Sequence, residues 1–106
     1  MSDIQVHAFR MKLKPGFEEE YKQRHDTIWP ELKELLHRAG VVEYHIFLDE
    51  ATLSLFAFQK VAGRSQTIDL AAQPVMRRWW DYMADIMEVN EDNSPVVVAC
   101  PEVFRL

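Results

Sequence analysis

The residues best suited to proton transfer in this sequence are Tyr21 and His25, which stand four positions apart. In a helix this spacing puts both side chains on the same face. An imidazole that titrates near neutral pH and a phenol one turn away can act as an acid and base pair. The same pattern also fits a surface or helix-end histidine beside a core tyrosine, and spacing alone does not choose between the two.

Three further aromatic residues, Trp79, Trp80 and Tyr44, are candidates for the wall of a binding pocket. Adjacent residues of a helix project about 100° apart, so the two indoles do not easily enter one core layer together. Indole faces suit the C–H faces of sugars, and the indole N–H donates to hydroxyls. The alternative is that the tryptophans form core and dimer contacts, and that Tyr44 is a core tyrosine with a satisfied hydroxyl.

Several classes of site are excluded by composition. Gly16, Gly40 and Gly63 are far apart, so no glycine-rich phosphate loop can form and a nucleotide cofactor is not expected. His7, His37 and His45 show no ligand spacing, and no nearby acid or cysteine completes a metal site with them, so no metal is expected either. One cysteine cannot form a disulfide within the chain, which favours a cytoplasmic location. The residues therefore predict neither a metal site nor a nucleotide cofactor held by a glycine-rich loop.

Length and charge limit the partners. The chain has 106 residues, the size of a single domain spanning 1–106, and its 12 basic and 17 acidic residues give a net charge of −5. Without a basic stripe, nucleic acid is excluded as the main partner. The apolar runs are shorter than the ~20 residues of a membrane span, and the start of the chain lacks the pattern of a secretory signal. A membrane role is not expected.

The hydrophobic periodicity predicts the elements that must position these side chains. Alternating patterns predict strands over 4–13, 41–48, 53–61 and 96–104. Spacings of three and four predict helices over 17–28, over 31–39 after Pro30, from Ser65 or Thr67 through Ala72, and from Pro74 to Ile86. The resulting order β-α-β-β-α-β indicates an α+β, ferredoxin-like fold with an antiparallel sheet and helices on one face.

The predicted strands carry apolar residues on both faces, whereas helices can cover only one face. The other face then needs a partner. We expect a homodimer packed sheet on sheet, or partly through the edges of its strands.

Five blocks of the sequence identify a protein family more specifically than the chemistry of their single residues does. They are Tyr-Lys-Gln-Arg-His-Asp-Thr-Ile-Trp-Pro-Glu-Leu at 21–32, Tyr-His-Ile-Phe-Leu-Asp at 44–49, Arg-Trp-Trp-Asp-Tyr-Met-Ala-Asp-Ile-Met at 78–87, Asp-Asn-Ser-Pro at 92–95 and Glu-Val-Phe at 102–104. In this order they resemble the bacterial L-rhamnose mutarotase family over nearly the whole chain.

The resemblance implies a cofactor-independent enzyme that interconverts the α and β anomers of L-rhamnose. It implies that His25 is the proton donor, that Tyr21 and Tyr44 bind the sugar, and that Trp79 and Trp80 line the site. It also implies the dimeric α+β barrel architecture, which agrees with the predicted element order.

Two other functions remain open from the residues alone. Cofactor-free monooxygenases share this architecture and act on aromatic or polyketide substrates, and fold alone does not decide function. A non-catalytic sugar-binding module is the second alternative.

Overall fold

The fold is described by a computed structural model over residues 4–62 and 68–106. Strands β1 to β4 span Ile4–Lys12, Val41–Asp49, Ser54–Ala62 and Val98–Ala99, and helices α1 to α3 span Glu18–Asp26, Pro30–Arg38 and Pro74–Met83. A short 3₁₀ turn, Leu70–Ala72, precedes α3. The order of the main elements is the predicted one.

The four strands form one antiparallel sheet in the order β2-β3-β1-β4. Strands β1 and β3 pair in a continuous register, and β2 pairs with β3 after an irregularity between Val41 and Glu43. Gln59 of β3 lies opposite His7 of β1 on one side and opposite Tyr44 of β2 on the other. Residues directly opposite each other in a sheet point to the same face. These three side chains therefore share the face on which the helices lie.

The core lies between this face and the helices. The sheet and the residue after β1 contribute Met11, Leu13, Leu55 and Ala57 to the core. They pack with buried residues that belong to the helices or follow them, among them Leu32, Leu35, Trp79, Met83 and Ile86. The alternation in the strands and the three-and-four spacing in the helices produce these two matching apolar surfaces. The predicted arrangement, with helices on one face of an antiparallel sheet, is confirmed.

The residue before Pro30 accounts for the break between α1 and α2, and a glycine follows the end of α2. Trp29 precedes Pro30 and adopts an extended conformation, with φ −60° and ψ 131°, as the residue before a proline usually does. Helix α1 therefore ends at Asp26, two residues before the predicted end, and α2 starts afresh at Pro30. Gly40 follows α2 with φ 95°, a conformation that favours glycine.

The C-terminal strand prediction is wrong for most of its length. Only Val98–Ala99 pair with β1, and the last ladder bond runs from the Cys100 N–H to the Ala8 carbonyl. Pro101 follows directly and has no N–H to continue the ladder. Residues 100–106 form no regular structure.

Other boundaries also differ from the predictions, most of them by one residue. Helix α3 ends at Met83 rather than Ile86, and Leu53 belongs to the turn before β3, with φ 61°. The predicted caps Ser65 and Thr67 lie outside the described residues. The 3₁₀ turn that is present is capped by Asp69, whose carboxylate accepts from the Ala71 N–H at 3.1 Å.

The sheet face away from the helices carries exposed aromatic residues. Phe47 is 63% exposed and Phe56 is 43% exposed, and the Phe47 and Phe58 rings both lie 6.2 Å from the His45 ring. Large exposed aromatics side by side are typical of an interaction surface. Among the residues described, no helix is long and apolar enough to cross a membrane.

Candidate functional site

Helix α1 places Tyr21 and His25 side by side, as their spacing predicts. Their ring centroids are 4.4 Å apart with an angle of 31° between the ring planes. Tyr21 is buried, with 8% exposure, and His25 is half-buried. The two side chains therefore act on the same small region of space.

The tautomer of His25 is set by a backbone contact. Its Nδ1 lies 3.0 Å from the Tyr21 carbonyl oxygen. A carbonyl only accepts, so Nδ1 carries the hydrogen, and the lone pair of the neutral ring lies on Nε2. Burial lowers the pKa of His25, and the hydrogen bond to the Tyr21 carbonyl opposes this shift only in part. His25 is therefore neutral at neutral pH, with a basic Nε2.

Helix α3 holds His25 from the other side through Trp79. The His25 and Trp79 rings meet edge to face at 5.4 Å, and Trp29 contacts Trp79 in the same way at 5.1 Å. Tyr82 completes the cluster, with its ring 5.6 Å from Trp29 and 5.7 Å from Trp79. Edge-to-face and stacked pairs of this kind each add about 0.5–1.5 kcal/mol beyond burial. Trp79 is thus a rigid neighbour of the imidazole.

The sheet contributes Tyr44 and its neighbour Gln59. Tyr44 is 37% exposed as a whole, yet burial raises the pKa of its hydroxyl, and a side-chain hydrogen bond with Gln59 counteracts part of that shift. Burial, and secondarily the nearby Tyr44, raise the pKa of Tyr21. Both phenols therefore keep their hydrogens at neutral pH and can donate to a ligand oxygen.

All five predicted site residues line one cavity of about 1180 Å³. Helix α1 provides Tyr21 and His25, α3 provides Trp79 and Trp80, and β2 provides Tyr44. Trp80 is less buried than Trp79, and the Arg77 guanidinium lies 5.6 Å from its ring centroid. The cavity combines an apolar wall with a few convergent polar groups, as small-molecule sites do.

Three further residues of this region were missed by the sequence analysis. Trp29 follows His25 by four positions, so the spacing of Tyr21 and His25 continues to it and could have identified it. Trp29 stands beside the site through its contact with Trp79, whereas Gln59 and Asn93 line the cavity itself. Only the strand register reveals Gln59, and only the folding back of the loop after α3 reveals Asn93, whose amide donates to Asp81 at 3.0 Å.

The described part of the chain contains no group of three or more His, Cys, Asp or Glu side chains that could hold a metal ion. The cavity wall also carries His37, Ser94 and several Glu, Asp and Lys side chains. The groups that meet around His25 and Tyr44 are one imidazole, two phenols and the Gln59 amide. This set can move a proton and can hold hydroxyl groups.

The architecture belongs to the ferredoxin-like α+β folds that include the monooxygenase-like barrels. A candidate antibiotic biosynthesis monooxygenase from Nitrosomonas europaea superposes with a TM-score of 0.59 at 15% identity, over 98% of this chain and 94% of that one. At this identity the likeness concerns the fold alone.

Sequence comparison defines the family. The profile of the L-rhamnose mutarotase family matches residues 6–106. An L-rhamnose mutarotase from Phocaeicola vulgatus is 57% identical over 99 residues, which cover 93% of this chain and 95% of that protein. The crystal structure of an L-rhamnose mutarotase from Formosa agariphila has a TM-score of 0.90 and 55% identity, and the match covers 96% of this chain and 98% of that one. The chain belongs to the L-rhamnose mutarotase family.

Proposed function

We propose that this protein interconverts the α and β anomers of L-rhamnose without a cofactor, in a single domain spanning 1–106. The observation that carries the proposal is the family match over residues 6–106. The cavity supports it, because a neutral imidazole can transfer the proton in an acid–base ring opening and two protonated phenols can hold sugar hydroxyls. Gln59 adds an amide that can form hydrogen bonds with sugar hydroxyls, and the tryptophans add an apolar wall.

In the proposed mechanism His25 shuttles a single proton. Nε2 takes the proton of the anomeric hydroxyl, the bond between the anomeric carbon and the ring oxygen breaks, and a carbonyl forms at the anomeric carbon. The same Nε2 gives this proton to the ring oxygen as that oxygen leaves the anomeric carbon, so the ring oxygen becomes a hydroxyl group of the open sugar. One nitrogen can serve both oxygens because both are bonded to the anomeric carbon in the closed ring. After the open aldehyde rotates about the bond to the next carbon, the steps run in reverse and the ring closes on the other face.

His25 suits this role because its resting state is neutral and its basic nitrogen is defined. The Tyr21 carbonyl holds the hydrogen at Nδ1, so the ring does not change tautomer between the two transfers. The lowered pKa keeps the base available at neutral pH and makes the transient imidazolium a stronger acid toward the ring oxygen.

Binding would be shared by the other four residues. Tyr21 and Tyr44 donate hydrogen bonds to sugar hydroxyls through phenols that stay protonated. Trp79 is already enclosed by Trp29 and His25, whereas Trp80 keeps more exposed surface. We therefore assign the stacking contact with the sugar face to Trp80 and the bracing of His25 to Trp79.

The direct experiment is exchange between the L-rhamnose anomers followed by NMR saturation transfer, with and without the protein. We expect faster exchange with L-rhamnose than with other pyranoses tested in parallel. Binding of the sugar without faster exchange would instead support a non-catalytic sugar-binding module. Consumption of oxygen with an electron-rich phenol, and no sugar exchange, would support a monooxygenase.

We further propose that two copies associate through the exposed sheet face, in the cytoplasm, where a lone thiol such as Cys100 stays reduced. The exposed Phe47 and Phe56 support the association. A charge in a desolvated apolar interface is unfavourable, so Phe47→Glu should shift the mass in light scattering from a dimer to a monomer. Ala71→Glu adds the same charge to the exposed 3₁₀ turn and should leave the dimer intact. A wild-type protein that is monomeric at all micromolar concentrations would contradict the proposal.

A further inference from the structure

Arg24, the residue before His25, connects α1 to the C-terminal end of α3. Its Nη1 donates to the Tyr82 carbonyl at 2.7 Å and to the Asp85 carboxylate at 3.0 Å, and its Nη2 lies 3.4 Å from the second Asp85 oxygen. Its Nε donates to Glu20, one turn earlier in α1, at 2.7 Å. One guanidinium thus binds three acceptors, two of which lie on or just beyond α3.

Arg24 is more buried than the cations of the other ion pairs in the described residues. The Arg24 side chain is only 11% exposed, and its guanidinium carbon lies 4.3 Å from the Tyr82 ring centroid. A planar guanidinium that is packed on a ring and binds a carboxylate with two nitrogens has a fixed orientation. The hydrogen bond from Arg24 lowers the pKa of Asp85, so the carboxylate stays charged.

Side chains, rather than close backbone packing, fix the position of α1. Within the described residues, no Cα atom of α1 comes within 8 Å of a Cα atom in another helix or strand. The helix is therefore held by the rings of Tyr21 and His25 on one side and by Arg24 on another. Of these side chains, Arg24 makes the charged contact to the segment that carries Trp79.

Arg24 reaches the same turn of α3 that supports the imidazole. The ring of Tyr82, which lies under the guanidinium, contacts Trp79, and Trp79 contacts His25. A shift of the Arg24 contact would therefore change the distance between α1 and Trp79, and with it the place of Nε2 in the cavity. Proton transfer is sensitive to such shifts, since a displacement of about 1 Å can cost about 10²-fold in rate.

We propose that Arg24 is a positioning residue, which acts through Asp85 and the Tyr82 carbonyl to hold His25 at the distance from Trp79 that proton transfer requires. The inference rests on the proposed function, because it assigns the proton transfer to His25. Arg24 itself does not need to touch the sugar.

The test compares Arg24→Lys, Asp85→Ala and Asp85→Asn in the anomer-exchange assay. Lysine keeps the charge but cannot reach three acceptors with a planar fork. We expect Arg24→Lys and Asp85→Ala to lower kcat by about tenfold or more with KM changed by less than about threefold. Asp85→Asn keeps one oxygen acceptor and should recover part of the rate, and the double variant Arg24→Lys/Asp85→Ala should be no worse than the more severe single variant.

Arg78→Lys is the matched control. Arg78 forms an exposed ion pair with Glu31 of α2 at 3.6 Å, so it joins two helices but not α1. Exposed pairs contribute little, about 0–1 kcal/mol, and we expect kcat to stay at the wild-type value. Equal losses in Arg78→Lys and Arg24→Lys would mean that any charged helix contact matters, and would overturn the assignment.

A second readout does not depend on turnover. The edge-to-face contact with Trp79 at 5.4 Å shifts the ring protons of His25 in the NMR spectrum, and we expect these signals to move in Arg24→Lys and Asp85→Ala. Wild-type signals and wild-type kcat in Asp85→Ala would overturn the proposal. Asp85 is 65% exposed, so this variant remains informative even if Arg24→Lys fails to fold. If the wild-type protein shows no anomer exchange, the proposed function fails. The positioning role is then refuted separately if the His25 signals of Arg24→Lys and Asp85→Ala equal those of the wild type.

Discussion

Replacement of His25 by alanine should stop most of the catalysis while leaving the protein folded. Positioned acid–base groups contribute about 10²–10⁴-fold to a rate, which corresponds to about 2.7–5.4 kcal/mol of transition-state stabilisation at about 1.36 kcal/mol per tenfold. Since one imidazole serves both proton transfers in the proposed mechanism, we expect kcat to fall by at least about 10²-fold.

The contacts of His25 predict a much smaller loss of stability. The hydrogen bond to the Tyr21 carbonyl contributes about 0.5–1.5 kcal/mol. The edge-to-face contact with Trp79 contributes about as much. A loss of about 1–3 kcal/mol from a domain whose stability is typically about 5–15 kcal/mol leaves the native state dominant. Urea unfolding should therefore show a lower midpoint and an unchanged slope.

The assay is NMR saturation transfer between the two anomeric protons of L-rhamnose, at equal concentrations of folded protein. His7→Ala is the matched control, because His7 is an exposed histidine of β1 that does not line the cavity. It should retain the wild-type exchange rate. A folded His25→Ala variant with exchange within about threefold of the wild type would refute the assignment of proton transfer to His25.

Three further outcomes follow from the structure. The pKa of His25 lies below the usual 6.5, and the neutral ring is the active form. We therefore expect kcat/KM to be constant from neutral to mildly alkaline pH and to fall as the pH drops through the lowered pKa of His25. A rate that rises on acidification would show that the resting imidazolium is the donor instead. Leu35→Ala removes a side chain with 0% exposure and should lower the free energy of unfolding by about 2–5 kcal/mol, whereas Leu106→Ala in the exposed C-terminal segment should change it by less than about 0.5 kcal/mol in urea unfolding. Trp80→Ala should raise KM for L-rhamnose more than it lowers kcat in the exchange assay, since stacking binds the sugar without moving a proton, and an unchanged KM would remove Trp80 from the binding surface.

The order and type of the main elements follow from local patterns. The hydrophobic pattern shows which face of each element becomes buried, and it is the strongest secondary-structure signal in a sequence. It alternates over 4–13 and 53–61 and repeats every three or four residues after Phe17 and Pro74. Prolines and glycines fixed other points, such as the start of α2 at Pro30 and its end before Gly40. The predictions failed where pairing with a neighbouring strand decides the structure. The valine run at 96–98 is strand-like by itself, yet pairing with β1 extends only over Val98–Ala99 and stops before Pro101.

The sequence by itself determined the candidate residues Tyr21, His25, Tyr44, Trp79 and Trp80 and the fold class, because spacing, residue type and family-specific blocks are local properties. The tertiary structure decided how these residues meet. Helix geometry places the Tyr21 carbonyl at the His25 Nδ1. Strand register places Gln59 opposite Tyr44. Packing brings Arg24 to Asp85 and to the Tyr82 carbonyl. The hydrogen bond that sets the tautomer of His25 lies within α1, whereas the burial that lowers the pKa of His25 exists only once distant segments are packed together.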